Sequence, residues 1–344
     1  MRHMYFRKLF FALSLLAVLA GCSRNYSVSP TGITGTLPIP KAPAGADGGQ
    51  YGICRISVAN LREEPAYEAE MGTQLLMGAV CRVLDRKSYW LKVEAPDGYT
   101  AWVTEGSLHP CDASGVMAWK AARRLFVTAA YTPVMRAPGK GGEIVCDAVR
   151  GCIVACTGSS GRYWRCRLPD GREGYIARKA ACDCREYFSS RNPSGKDIIA
   201  DAKLYLGVPY LWGGSSGKGL DCSGLSQRVY MDCGILLPRN ASQQARVGED
   251  IDISGGWGNL QPGDLVFFGR KRDDGSTRVY HVAIYKGDGE IIQSSKGCVH
   301  IASIVRGRGN YYPESGNIVS ARRILGSDAS GKDFSKIIFN GWYF

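Results

Sequence analysis

Cys222 and His281 are the residues of this chain best placed for covalent chemistry. Cys222 follows the glycine-rich, turn-forming run from Gly207 to Asp221. It opens a segment with helical spacing, Leu225, Val229, Tyr230 and Cys233, that stops at Gly234. A cysteine in the first turn of a helix faces unpaired backbone N–H groups and the positive end of the helix dipole. Both favour the thiolate, the nucleophilic form. The bland alternatives are a small buried residue or one half of a disulfide.

His281 lies in the alternating run from Val279 to Tyr285, which predicts a half-buried strand with His281, Ala283 and Tyr285 on one face. A hairpin centred on Gly287 would put position 281 directly opposite position 293, so Gln293 is expected to orient the imidazole. A thiol at a helix start, a base on a strand and a polar orienter make the general Cys–His arrangement for acyl transfer. In that chemistry Cys222 attacks a carbonyl carbon and His281 moves its proton to the leaving amine. Water then resolves the acyl-enzyme. The Cys222 backbone N–H and the Tyr210 hydroxyl are candidates to stabilise the oxyanion; packing beside Trp212 is the other role open to Tyr210.

The rest of the chain must position these groups. Its 344 residues suffice for two or three cores, and 45% hydrophobic with 22% charged residues is ordinary for folded protein. Arg2, Arg7 and Lys8 precede an apolar run from Leu9 to Ala20 that closes on Gly21-Cys22. This reads as a secretory signal, residues 1–21, too short to span a membrane. Its ending resembles a bacterial lipobox, which implies cleavage before Cys22 and lipidation of that residue. A plain signal peptide is the alternative. Residues 22–49, with Pro30, Pro38, Pro40 and Pro43, read as a tether. Without the signal the net charge is 40 − 31 = +9, diffuse enough to suit an anionic surface without naming a partner. No nucleic-acid motif is present, and neither metal nor cofactor is expected. The chain has thirteen cysteines with no Cys-x2-Cys pair. An exported protein can oxidise some of them, but the sequence fixes no pairing.

From Tyr51 onward short alternating strands and turns occur twice. Leu61-Arg62 recurs as Met135-Arg136, Tyr89-Trp90 as Tyr163-Trp164, and Pro96-Asp97-Gly98 as Pro169-Asp170-Gly171. A steady offset of this kind predicts a duplicated all-β module, assigned to residues 50–113 and 114–188. Residues 189–344 then read as an α+β domain, helices first and an antiparallel sheet after.

Five ordered motifs in that last region resemble the NlpC/P60 cysteine peptidases: Pro209 to Gly214, Leu220 to Gly224, Leu237-Pro238-Arg239, Leu260 to Phe268, and His281 to Tyr285. The resemblance covers roughly residues 192 to 326. It implies a papain-like α+β fold acting on bacterial cell-wall peptides, with Cys222 and His281 catalytic. The third catalytic position, most often histidine in the family, is Gln293 here. The repeated module resembles SH3-like barrels, and paired SH3-like barrels ahead of the peptidase resemble the γ-D-glutamyl–diamino-acid endopeptidases of the family. Those cut stem peptides whose L-alanine has a free amine. The resemblance implies that Glu64 and Tyr99 hold that amine, with Asn240 where the group has an aspartate. Asn240 also starts a capping-box pattern with Gln243, and the two roles are compatible. Trp212, Asp221 and Ser223 are further candidates for substrate contact, with helix capping the other reading of the last two. The expected protein is a monomeric envelope lipoprotein facing the periplasm from the outer membrane. A catalytically inactive wall-binding protein and an amidase using the same Cys–His site remain open.

Overall fold

The computed structural model describes residues 50–139, 141–331 and 334–344. Cys22, the signal before it and the whole of the tether lie outside the described residues.

The internal repeat is a repeat of topology. One seven-stranded antiparallel sheet runs, edge to edge, Met71–Leu76, Val58–Arg62, Thr100–Thr104, Trp90–Glu94, Val80–Lys87, Tyr51–Cys54 and Leu108–Cys111. The other runs Ile144–Val149, Tyr131–Met135, Glu173–Ala177, Tyr163–Arg167, Ile153–Ser160, Arg124–Val127 and Ala181–Asp183, the same order with every strand starting 73 residues later. Both Pro-Asp-Gly turns place glycine in the left-handed region, Gly98 at φ 79° and Gly171 at φ 87°, where a side chain would be strained. Each module closes its own core, around Leu61, Val93 and Val103 in the first and Val134, Val154 and Ile176 in the second. A helix, Ala113–Ala121, joins them; its N-cap Asp112 accepts from the Gly115 N–H.

The remaining residues form a six-stranded antiparallel sheet in the order Glu249–Asp250, Ile318–Arg323, Leu265–Lys271, Thr277–Gly287, Glu290–Ser295 and Cys298–Ser303. The helices Gly195–Lys203 and Cys222–Asp232 pack on it through Ile198, Ala202, Leu225 and Val229, against Leu265, Phe267, Val282 and Ile284. After Cys222 every residue of the second helix is buried, Arg228 and Asp232 included. The sheet covers one side of this helix, and the all-β modules reach its other residues.

A further hydrophobic cluster belongs to no single module. It joins Tyr51 and Val80, Phe126 and Ile153, Trp119 of the linking helix, Met231 and Leu236, and the segment carrying Ile337, Trp342, Tyr343 and Phe344. That segment shows no periodicity in the sequence, yet its three consecutive aromatic residues are buried.

Candidate active site

The helix Cys222–Asp232 begins where the sequence predicts. Asp221 is its N-cap and accepts from the Gly224 N–H at 2.7 Å. The same carboxylate accepts from the Gly213 N–H at 3.0 Å, drawing the glycine-rich loop over the helix start. Gly224 is obligatory for this approach, since a Cβ there would stand 2.0 Å from the Gly214 carbonyl oxygen. The loop is also tied to the sheet, where the Ser294 hydroxyl donates to the Leu220 carbonyl at 2.6 Å.

Cys222 is partly exposed, and the Val282 N–H, one residue past His281, is directed at its sulfur. Helix start and histidine strand therefore meet. The expected thiolate does not result: burial, reinforced by the Asp221 charge, pushes the Cys222 thiol up to about 11. At a helix start the dipole favours the anion, but desolvation and an adjacent carboxylate outweigh it. His281 is buried between the rings of Phe268, at 5.1 Å, and Tyr312, at 6.0 Å between centroids. Burial there lowers its pKa below 6.5. Desolvation thus opposes charge on the thiol and on the imidazole alike.

His281 Nε2 lies 2.7 Å from Gln293 Oε1, so the ring donates Nε2–H to the amide oxygen and turns its other nitrogen away from it. The register behind this contact differs from the expected one. Ile284 pairs with Ile292 and Tyr285 with Ile291, with an irregularity before Gly287, so Gln293 falls beside Ala283. Gln293 reaches His281 diagonally. The two still share a face because the shift is two residues, and side chains alternate with period two.

Tyr210 is half-buried, and its phenol is pushed up to about 12 by burial and by the proximity of Cys222 and Asp221. It stays protonated and able to donate toward the sulfur's surroundings. The Cys222 N–H, at the first helical position, has no intrahelical acceptor. Trp212 does not pack inside; it is 62% exposed and donates its Nε1–H to Glu70 Oε1 at 2.6 Å.

Four residues expected at the substrate are placed as follows. Asp221 and Ser223 are buried and engaged by Arg239, a 2% exposed residue that the sequence offered only as part of a motif. Its guanidinium donates to Asp221 Oδ1 at 3.1 Å and Oδ2 at 2.5 Å, to Ser223 Oγ at 2.9 Å and to Thr73 Oγ1 at 3.0 Å. Both residues therefore serve the cap and the junction with the first module. Glu64 and Tyr99 are expected to hold the amine together; in the structure the Tyr99 hydroxyl donates to Glu63, the neighbour of Glu64. The chain leaves the strand at Arg62, so alternation no longer tells which of the two glutamates faces inward. Asn240 caps the helix Ala241–Gln244 in a full capping box, its N–H bonded to Gln243 Oε1 at 3.0 Å, and its side chain is exposed.

The first module forms one wall of this region. Besides Thr73 and Glu70, Gln74 Oε1 accepts from the Ser215 N–H at 3.0 Å, and Asp97 Oδ2 accepts from the Gln227 amide at 2.7 Å. Glu63 and Glu70 are joined through backbone, Glu63 N–H to Glu70 carbonyl at 2.9 Å, which sets two carboxylates with Tyr99 and Trp212 along the seam.

Residues 207–314, which hold the helix start and the histidine hairpin, match the NlpC/P60 family. The chain carries an NlpC/P60 domain. Residues 61–108 match the bacterial dipeptidyl-peptidase Sh3 domain, so an SH3-like all-β region precedes the NlpC/P60 domain. Residues 7–23 match the prokaryotic membrane lipoprotein lipid attachment site, as for an exported, membrane-anchored lipoprotein. A gamma-D-glutamyl-L-lysine dipeptidyl-peptidase of Bacillus cereus is 29% identical over 235 residues, 66% of this chain and 68% of that one. Dipeptidyl-peptidase 6 of Lysinibacillus sphaericus is 25% identical over 70% of this chain and 86% of its own. A Bacillus subtilis gamma-D-glutamyl-L-lysine dipeptidyl-peptidase is 36% identical, but the chain spans only 34% of its length. The crystal structure of an NlpC/P60 family protein from Bacillus cereus superposes with a TM-score of 0.68 at 25% identity, covering 80% of this chain and 99% of that one.

Proposed function

We propose that this NlpC/P60 protein is a cysteine peptidase that hydrolyses the γ-D-glutamyl–diamino-acid bond of peptidoglycan stem peptides with a free amino-terminal L-alanine. The observation that carries the proposal is the His281–Gln293 hydrogen bond on the strand docked against the Cys222 helix start. It is supported by the relatives' activities and by the SH3-like wall beside the site.

In the proposed reaction His281 takes the Cys222 proton as sulfur attacks the γ-glutamyl carbonyl carbon. Because desolvation opposes charge on both groups, this transfer accompanies attack. The Cys222 N–H and the Tyr210 hydroxyl receive the developing oxyanion. The imidazolium then protonates the leaving amine, and a water activated by the neutral imidazole releases the acyl group. Glu63 and Glu70, with Tyr99 and Trp212, form the acidic, aromatic end suited to the substrate's ammonium. Asn240 stands at the rim without a charge.

The second all-β module shares the strand order of the first, and we assign it too as SH3-like, giving modules at 50–113 and 114–188 ahead of a peptidase domain at 189–344. The protein acts as an envelope lipoprotein anchored through Cys22, facing the periplasm from the outer membrane.

The test is incubation of the mature protein and a Cys222→Ala control with L-Ala-γ-D-Glu-meso-diaminopimelate and its N-acetylated form, with products read by mass spectrometry. Cleavage of the free-amine peptide that the control lacks is expected. Absence of cleavage in the unmodified protein, or equal cleavage of the acetylated peptide, refutes the activity or its amine selectivity respectively.

A further inference from the structure

A glutamine at the third position poses a problem that a carboxylate does not. Its amide can turn either oxygen or nitrogen toward His281, and only the oxygen accepts the Nε2–H that leaves the other ring nitrogen free for the Cys222 proton. Gln293 is fully buried. Something must fix which way the amide points.

The neighbouring strand supplies it. Lys296 and Gly297, at φ 48° and 105°, make a two-residue turn that pairs Ser295 with Cys298 and brings His300 directly opposite Gln293. His300 Nδ1 is 2.9 Å from the Cys298 carbonyl, and His300 Nε2 is 3.4 Å from Gln293 Nε2. The direction of this chain is set from its far end. A carbonyl only accepts, so Nδ1 carries the hydrogen; in that tautomer Nε2 is bare and only accepts. The amide nitrogen of Gln293 is thereby taken, and its oxygen is left for His281 at 2.7 Å.

We propose that His300 is a positioning residue, which by accepting from the Gln293 amide holds the glutamine oxygen toward His281. The proposal rests on the Cys222–His281 reading above. It assigns a role to a histidine whose sequence setting, in the run Cys298-Val299-His300, suggests only strand filler.

The test compares His300→Leu, which removes the acceptor, with His300→Gln, whose side-chain oxygen can replace it, and His300→Lys, which offers a donor instead. Two readouts are taken on the mature protein: kcat and KM for the free-amine peptide, and the rate of iodoacetamide alkylation at Cys222, resolved by peptide mass spectrometry across pH. The leucine and lysine variants are expected to lose about tenfold in kcat, the factor for roughly 1.4 kcal/mol, with KM little changed. The glutamine variant keeps the wild-type value. Equal rates in all variants and wild type, or equal losses in all three, overturn the proposal. Should His300→Leu fail to fold, the contrast between the lysine and glutamine variants decides by itself. If the unmodified protein cleaves no peptide, the function reading fails by itself and alkylation decides: slower reaction of Cys222 in the leucine and lysine variants, but not in the glutamine variant, supports the positioning role, and equal rates refute it.

Discussion

Replacing Arg239 by alanine tests the buried junction beneath the nucleophile. Arg239 is 2% exposed, and its guanidinium makes four hydrogen bonds, two to the Asp221 carboxylate, one to Ser223 and one to Thr73. Truncating one member of a buried ion pair usually costs about 3–5 kcal/mol, because the other charge stays desolvated and unpaired. Asp221 would not be wholly abandoned, since the Gly213 and Gly224 N–H groups still donate to it. The lower end, about 3 kcal/mol, is therefore expected for Arg239→Ala. The Asp221→Asn, Arg239→Met double variant removes both charges while keeping bulk, and should recover at least half of that loss. Urea unfolding followed by tryptophan fluorescence measures both, as midpoint shifts at constant slope. A loss below about 1 kcal/mol in the single variant, the range of exposed pairs, would show that the pair is not desolvated. Additive effects in the double variant would show that the two residues do not act together. Either result removes the argument that Asp221 serves the junction.

Other outcomes follow from the same site. The acid limb of kcat/KM should lie below pH 6.5, because burial lowers the His281 pKa and the base is lost only as pH falls through that lowered value. A limb above 7 would show that burial does not govern His281. Alkylation of Cys222 in the substrate-free protein should be slow at neutral pH and still rising toward pH 11, since the thiol is pushed up to about 11; a plateau near pH 8 would mean that burial does not govern it. Asn240→Ala should cost about 1 kcal/mol, the usual value of a helix cap, with cleavage nearly unchanged. Asn240→Asp should increase the preference for the free-amine peptide over the acetylated one, and an unchanged ratio would place residue 240 outside the amine site. Glu63→Gln should raise KM for the free-amine peptide more than Glu64→Gln does, measured side by side.

Much of this arrangement is legible in the sequence because it follows periods. The spacing of Leu225, Val229, Tyr230 and Cys233 places Cys222 at a helix start, and alternating neighbours place His281 on a strand. The register expected for Gln293 is off by two residues, yet the contact holds, since a shift of two preserves the face. The Lys296-Gly297 turn carries the signal for His300: counting from it sets 300 opposite 293, a step that strand alternation alone does not prompt. What is illegible lies where no period operates. Glu63 and Glu64 sit on a turn, and Arg239 looks like a surface cation until its partners arrive from Thr73, 166 residues away. The Cys222 thiol departs from expectation because a sequence displays a helix start but not the desolvation around it. Trp342 to Phe344 give no warning of their burial, because the partners that cover them come from both all-β modules.

That shared cluster bears on how such proteins can be recombined. Trp119, Phe126, Met231 and Trp342 belong to different parts of the chain but to one apolar contact surface. An SH3-like module transplanted from a relative would bring its own cleft-facing residues, yet its underside would have to fit an apolar cluster built from the rest of this chain. Changing selectivity by module exchange therefore requires carrying the underside along, whereas point changes at Glu63, Glu70 or Asn240 leave it intact. For chimera design, the useful cut is not at a module boundary but around this cluster.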